Sequence, residues 1–411
     1  ETTGGKHMSF VFYRNFNENK ILNGVYALNE GLGYSTNSCK HQLGQADEIR
    51  EKIYEETLSE LLEVGVAAGL KQHLFKMYLT YLVARSENAF SVSCERDGEK
   101  IDEALRTLAV KDIAQVLDLW HHSPFDIELA KGAPTFLDPL YEVFENAHSA
   151  EEIVDYLVGY YKRFGAGIMN GYKAFKWDEK IGLVGIGECD PITFDQLIGC
   201  DYQKKALIKN TEAFLQGKEA NNVLLFGDRG TGKSSSIKAL LNAYCKEGLR
   251  VVELSKADFK YFNRILHTLR ERGLKFILFL DDLSFEEFEV EYKYMKALIE
   301  GGIEVRPQNV LICATSNRRH LVKETWDDRQ GQEINITDTR QEKLSLADRF
   351  GLSLTFTSPN QNLYLEMVYA IAKHYKVTLD ENTLREKAIQ WELLHGGRSG
   401  RTAKQFILSI L

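Results

Sequence analysis

Apolar residues recur along this chain with two different periods. In its front part they return every three or four positions: Ile49, Ile53, Leu58, Leu61, Leu62 and Val66 within 47–67, then Leu70, Leu74, Met77, Tyr78, Tyr81 and Leu82 within 70–85. That spacing gathers them on one face of a helix. The same pattern predicts helices over 99–119, 135–146 (where Pro139 weakens it) and 149–163. Tyr156, Tyr160 and Tyr161 read as helix–helix core, the commonest fate of an aromatic stripe. Residues 9–45 mix Gly, Asn and Ser with weak periodicity and predict an irregular or partly helical lead-in.

The helical period fails over 164–195, where Gly165, Gly167, Gly171, Gly182, Gly185 and Gly187 end at Asp190-Pro191. Such punctuation predicts a linker or strand-poor joint. A helix from Tyr202 to Leu215 follows. Short, nearly continuous apolar runs then come at 223–226, 250–254, 276–280, 310–314 and 352–356, alternating with helical stretches at 236–246, 257–272, 286–300 and 341–350. Strands apolar on both faces, alternating with helices, predict a parallel sheet covered on both sides. From Ser358 the helical period returns at about 360–375, 380–395 and 399–411. The expected organisation is a mostly α-helical N-terminal domain (9–163), a linker (164–195), a five-stranded parallel αβα core (196–357) and a helical C-terminal domain (358–411).

Composition narrows the function classes. With 411 residues and 44% hydrophobic content, two or three real cores are available. The net charge of −8 is uneven: residues 1–195 hold 19 Lys+Arg against 31 Asp+Glu (−12), residues 196–411 hold 32 against 28 (+4). The acidic front half argues against gripping a nucleic-acid backbone by bulk electrostatics. No apolar run approaches the ~18–20 residues of a membrane span, and no signal peptide is visible. Six cysteines without a C-x-x-C spacing predict a reduced, cytoplasmic protein with free thiols. Cys39 with His41, and His121 with His122, supply too few ligands for a metal site.

The chemistry begins at the apolar run Val223-Leu224-Leu225-Phe226, which feeds Gly227-Asp228-Arg229-Gly230-Thr231-Gly232-Lys233-Ser234-Ser235. Strand, G-x-x-x-x-G-K-S and helix start form a phosphate-binding loop in its required context. Its glycines let backbone N–H groups turn toward phosphate oxygens, and the following helix adds its positive end. Lys233 suits the β- and γ-phosphates, and Ser234 suits a Mg²⁺ ion. A second apolar strand, Phe276–Leu280, ends in Asp281-Asp282, 48 residues after Lys233. Asp281 is expected to hold Mg²⁺ and Asp282 to polarise the attacking water. A third strand, Val310–Ala314, leads to Asn317, a residue able to hydrogen-bond that water or the γ-phosphate.

Taken in order, these motifs with Ala347-Asp348-Arg349-Phe350-Gly351 and Gly400-Arg401 resemble the AAA+ ATPases. The resemblance implies a P-loop (AAA+) core with a C-terminal helical lid, ATP and Mg²⁺ as ligands, and assembly into a homo-oligomer. It further implies that Arg349 is an arginine finger reaching a neighbouring subunit's ATP and that Arg401 is a lid sensor of the γ-phosphate, with Arg398 as the alternative sensor. Leu197-Ile198-Gly199 resembles the adenine-contacting segment. Ser399 is expected to cap the last helix. Over about 180–411 the chain resembles more closely a bacterial family of predicted AAA+ ATPases of unassigned function, through Asp281-Asp282-Leu283-Ser284-Phe285, Ala314 to Leu321 and Glu342 to Gly351.

Two departures matter. AAA+ proteins usually carry Glu where this chain has Asp282, and the shorter reach predicts slow turnover, since a 1 Å misplacement can cost about 10²-fold. Phe259, Tyr261 and Phe262 stand where a threading machine carries an aromatic pore loop, but their spacing is that of core. Arg318, Arg319, His320 and Lys323 form a basic cluster expected at a subunit interface beside a long loop, 324–339. The expected function is ATP hydrolysis coupled to work on a protein client. A nucleic-acid-associated loader or initiator, or a slow ATP-gated switch, are the alternatives.

Overall fold

The computed structural model describes residues 9–30, 40–130, 135–283, 306–317 and 349–411. They form two compact units, one ending at Gly171 and the other beginning at Tyr172.

The first unit is helical: α1 (Lys20–Glu30), α2 (Lys40–Ala67), α3 (Leu74–Arg85), α4 (Ala89–Asp97), α5 (Glu103–His121), α6 (Asp138–Asn146), α7 (Ala150–Phe164) and α8 (Ile168–Gly171). A two-residue antiparallel bridge joins β1 (Gln72–His73) to β2 (Glu128–Leu129). Asn88, Asp102 and Ser149 cap α4, α5 and α7 through their side chains, satisfying N–H groups that the first helical turn leaves unpaired. Trp120, Phe75, Phe90, Phe144, Tyr160 and Tyr161 are buried together. Tyr160 and Tyr161 are therefore core, as their period suggested, while Tyr156 packs against them partly buried. Pro139 sits in the first turn of α6, where its missing N–H costs nothing.

The described part of the lead-in is partly helical, one of the two forms expected of it. α1 buries Ile21, Leu22, Val25 and Leu28, a good helical face in a window too short to stand out. The segment before it is anchored by the buried Asp112 carboxylate of α5, which accepts from the N–H groups of Val11 (2.9 Å), Phe12 (2.7 Å) and Tyr13 (3.3 Å).

In the second unit, β5 (Val223–Gly227), β6 (Leu249–Leu254), β7 (Lys275–Leu280), β8 (Val310–Ser316) and β9 (Leu352–Phe356) are the five expected strands, all parallel. The stretch 164–195 differs from the linker or strand-poor joint expected of it. It contains β3 (Ala174–Asp178) and β4 (Gly182–Ile186), a hairpin whose β3 lies parallel to β6. The sheet is thus seven-stranded, ordered β4-β3-β6-β7-β8-β5-β9, with only β4 antiparallel. Its alternation was short but present: A-F-K-W-D buries every apolar residue and exposes Lys176 and Asp178. Asp178 Oδ1 then accepts from the N–H groups of Lys180 (2.8 Å) and Ile181 (2.9 Å) to close the turn.

α9 (Asp201–Leu215), α10 (Lys233–Tyr244) and α11 (Phe262–Arg270) pack beside the strands. β8 is buried along its whole length, which explains its unbroken apolar run. The expected helix 286–300 and the stretch 341–348 lie outside the described residues. A closing bundle of α12 (Gln361–His374), α13 (Glu381–Leu394) and α14 (Gly400–Ser409) has its own core of Tyr364, Val368, Leu384 and Phe406. Phe259 and Phe262 are buried, in keeping with their reading as core. Among the described residues no helix is long and apolar enough to cross a membrane, and the five described cysteines carry free thiols.

Candidate active site

The loop between β5 and α10 is shaped by its glycines. Gly227, Gly230 and Gly232 adopt φ of +129°, +74° and +101°, values that side chains with a Cβ rarely take. At Gly227 space is also exhausted, because a Cβ there would lie 1.9 Å from the Phe356 carbonyl oxygen. At Gly230 a Cβ would approach the Ser399 side chain, its Oγ at 2.8 Å, so the loop and the C-terminal bundle lie close together there. The Arg401 N–H donates to the Gly230 carbonyl at 3.3 Å.

Asp228 braces this loop. Its N–H donates to the Phe356 carbonyl (2.9 Å), and its carboxylate accepts from the Ser358 N–H (2.7 Å) and hydroxyl (2.8 Å). Those bonds, the hydroxyl's first, hold its carboxyl below the usual carboxylate range. Its side chain is thus engaged with Ser358. Thr231 Oγ1 donates to the Asp228 carbonyl at 2.8 Å.

Lys233 is nearly buried, at 7% exposure. Its ammonium donates to the carbonyls of Gly227 (2.8 Å) and Asp228 (2.6 Å) and to Asn317 Oδ1 (3.2 Å). Burial pushes its pKa down, opposed by the charges of Asp282, Asp228 and Asp281. Next to it, the Ser234 hydroxyl donates to Asp281 Oδ1 at 2.6 Å, joining the two residues expected to share a metal. The Thr315 hydroxyl donates to the same Asp281 Oδ1 (2.6 Å) and accepts from the Asp282 N–H (2.8 Å). Asp282 adopts φ +52°, a left-handed conformation that Asp tolerates better than most residues. Its Oδ1 accepts a short bond from the Asn317 amide. Three strand ends therefore bring Lys233, Ser234, Asp281, Asp282, Thr315 and Asn317 to one place.

These groups open onto a cavity of about 1130 Å³. The loop residues Arg229, Gly230, Thr231, Gly232, Lys233, Ser234 and Ser235 line it, with Leu197 and Ile198 on the chain before α9. Facing them from the bundle are Met367, Ile371, His374, Tyr375 and Arg401. The far wall is the strap Asp190–Ile192, held to α10 by Asn242, whose amide donates to the carbonyls of Asp190 and Ile192, each at 2.8 Å.

Ser399 caps α14, accepting from the Thr402 N–H at 3.0 Å, and so leaves Arg401 in the first turn at the cavity wall. Arg398 is placed differently from the sensor alternative considered for it. Its Nε donates to both oxygens of Glu392, at 2.9 and 3.0 Å, and it does not line the cavity. Glu392 is 4% exposed, so this guanidinium serves a buried carboxylate. Arg349 is exposed and also lies off the cavity wall, while the adjacent Phe350 is buried. The basic cluster Arg318 to Lys323 and the loop 324–339 fall outside the described residues.

The donors suit a phosphate with Mg²⁺. Ser234 and Asp281 present hard oxygens, and the positive φ of Gly230 and Gly232 gives the loop a backbone shape able to turn N–H groups toward a phosphate. Among the described residues no three of His, Cys, Asp or Glu gather as a metal site. Mg²⁺ needs no such cage, since it keeps waters and shares substrate phosphates with one or two protein ligands. Thr315, the strap and the aromatic pair His374–Tyr375 were not anticipated from sequence. Thr315 reads as one more residue of an apolar strand, and the strap contains nothing but a turn signal at Asp190-Pro191.

Residues 170–411 match the family described as Protein of unknown function (DUF815), and the chain belongs to that family. No curated protein matches it. Among solved structures, the Holliday junction branch migration motor RuvB of Thermotoga maritima aligns at 19% identity and TM-score 0.37, covering 53% of this chain and 63% of that one. A DNA replication initiation factor aligns at 17% identity and TM-score 0.36, covering 54% and 65%. The chain thus spans under two thirds of either protein, and neither likeness bears on what it binds or moves.

Proposed function

We propose that this chain is an AAA+ ATPase that binds ATP with Mg²⁺ between its sheet and its C-terminal bundle and hydrolyses it. The observation that carries the reading is the meeting of Ser234 Oγ and Asp281 Oδ1 at 2.6 Å beside Lys233, Asp282 and Asn317, at the open end of a parallel sheet. Ligands of open α/β sheets bind outside the carboxyl ends of the strands.

In this reading the loop N–H groups hold the phosphates, and Lys233 turns from its carbonyl partners toward the β- and γ-oxygens. Bound Mg²⁺ supplies neutralisation of the charge that develops between those phosphates. Ser234 and Asp281 hold that charge centre in register. Asp282 accepts the proton of the attacking water, and Asn317 orients it from the other side. Leu197, Ile198, Met367 and Ile371 give the base an apolar slot, and Arg401 reports the γ-phosphate to α14. Arg349, displayed on the surface beside the buried Phe350, acts on a neighbouring subunit's nucleotide, so a homo-oligomer completes the site. The acidic helical unit takes a protein client.

The test is steady-state ATP hydrolysis against protein concentration, with Lys233→Ala and Arg349→Ala in parallel. A specific rate that rises with concentration and collapses in both variants is expected. A rate independent of concentration and untouched by Arg349→Ala would remove the finger acting in trans. A second reading, a slow ATP-gated switch, is favoured by one observation: the Asp282 carboxylate, one methylene shorter than Glu, is already engaged by the Asn317 amide. Tight ATP binding without turnover at any concentration would select it.

A further inference from the structure

Thr315 stands on β8, between the two carboxylates and belonging to neither, and is 1% exposed. Its hydroxyl spends its one proton on Asp281 Oδ1 at 2.6 Å and accepts the Asp282 N–H at 2.8 Å. Its carbonyl accepts the Leu283 N–H at 2.6 Å. One residue thus grips three successive residues just beyond the end of β7. Between the first and third of them the chain turns through the left-handed conformation of Asp282, φ +52°. That conformation is unfavourable for a residue with a Cβ and persists where surroundings over-determine it. The Asp282 carboxylate in turn meets Asn317.

We propose that Thr315 is a positioning residue for hydrolysis. Its hydroxyl sets the rotamer of Asp281 toward Ser234 and holds the Asp282 backbone in the turn that aims the short carboxylate at the water's position. This rests on the ATPase reading above. Asp282 lacks the reach of Glu, so the backbone turn rather than side-chain length must place its oxygen. A side chain with fewer rotatable bonds makes that placement depend more on the backbone.

The test compares Thr315→Val, which keeps the shape and removes the hydroxyl, with Thr315→Ser, which keeps the hydroxyl. Three quantities are read on the full chain: kcat for ATP, nucleotide affinity with and without Mg²⁺, and the melting temperature. Thr315→Val is expected to lower kcat by about 10-fold or more, on the scale of a sub-ångström to 1 Å misplacement. It should also reduce the gain in affinity that Mg²⁺ confers, while metal-free nucleotide affinity stays within about 3-fold. Thr315→Ser should recover both. If the wild-type chain binds ATP but never turns it over, the ATPase reading fails, and the Mg²⁺ gain still decides the role of Thr315. Wild-type kcat and Mg²⁺ gain in Thr315→Val would overturn the proposal. So would parallel loss of metal-free affinity and melting temperature that Ser does not repair, because that pattern marks packing alone.

Discussion

Replacing Arg398 by Ala separates a structural arginine from a sensing one. Arg398 Nε lies 2.9 and 3.0 Å from the two oxygens of Glu392, whose residue is 4% exposed. Removing one partner of a buried ion pair leaves an uncompensated charge and costs about 3–5 kcal/mol. The Arg398 side chain itself is 38% exposed, so water reaches part of the vacated space and solvent screening lowers the figure. We expect about 2–3 kcal/mol. In a unit of this size each 1 kcal/mol moves the melting temperature by roughly 2–4 °C, which gives a fall of about 4–12 °C. Thermal unfolding without nucleotide measures it directly, and ATP titration well below the transition measures affinity on the same variant. Affinity should hold, because Arg398 is absent from the cavity wall. The double variant Glu392→Leu with Arg398→Met should recover most of the stability, since a buried pair replaced by apolar groups is often neutral. An Arg398→Ala chain that melts with the wild type while losing ATP affinity would refute the assignment and return Arg398 to the nucleotide.

Two further outcomes follow from the same reasoning. Asp112→Asn should destabilise the helical unit by about 1–3 kcal/mol, read from its urea midpoint: the amide removes the charge that strengthens the bonds from Val11, Phe12 and Tyr13 and puts an NH2 group where one carboxylate oxygen now accepts, and hydrogen bonds to a charged group are worth ~1.5–3 kcal/mol; a wild-type midpoint would show that the lead-in is not anchored there. The Asp228 carboxyl is held low by Ser358, so it stabilises the fold above its unfolded pKa of about 3.9, and that contribution disappears as pH falls through the lower folded value. Asp228→Asn should therefore flatten the pH dependence of stability below about pH 4 and leave its slope near neutrality unchanged; an identical acid limb in wild type and variant would contradict the Ser358 bond.

How much could be read in the residues differs from element to element. The loop between β5 and α10 was legible because glycine, lysine and serine at that spacing meet a local requirement, namely positive φ, although the partner of Asp228 was not. Asp281 and Asp282 were legible for a similar reason, standing at the end of an apolar strand. The hairpin of β3 and β4 was not. Each strand is five residues, so the alternation in A-F-K-W-D is too brief to stand out, and a sheet edge joined from outside the main β/α alternation gives it no context. Arg398 and Arg401 are three residues apart in the same basic stretch. Only the placement of Glu392 against one, and of Gly230 against the other, divides their tasks.

The sequence alone determined the period of each segment, the αβα order of the core and the glycine-rich loop between β5 and α10. These follow from side-chain spacing and local backbone demand, which are properties of neighbours along the chain. Tertiary structure decided the rest: a seven-stranded sheet rather than five, Asp228 turned to Ser358, Arg398 spent on Glu392, and Thr315 placed between two carboxylates from another strand. All but the Arg398–Glu392 pair join residues far apart in sequence, and that pair, six residues apart, forms across the turn between two helices. A hydrogen bond or ion pair of that kind depends on where folded strands lie side by side, and no spacing within one segment encodes it.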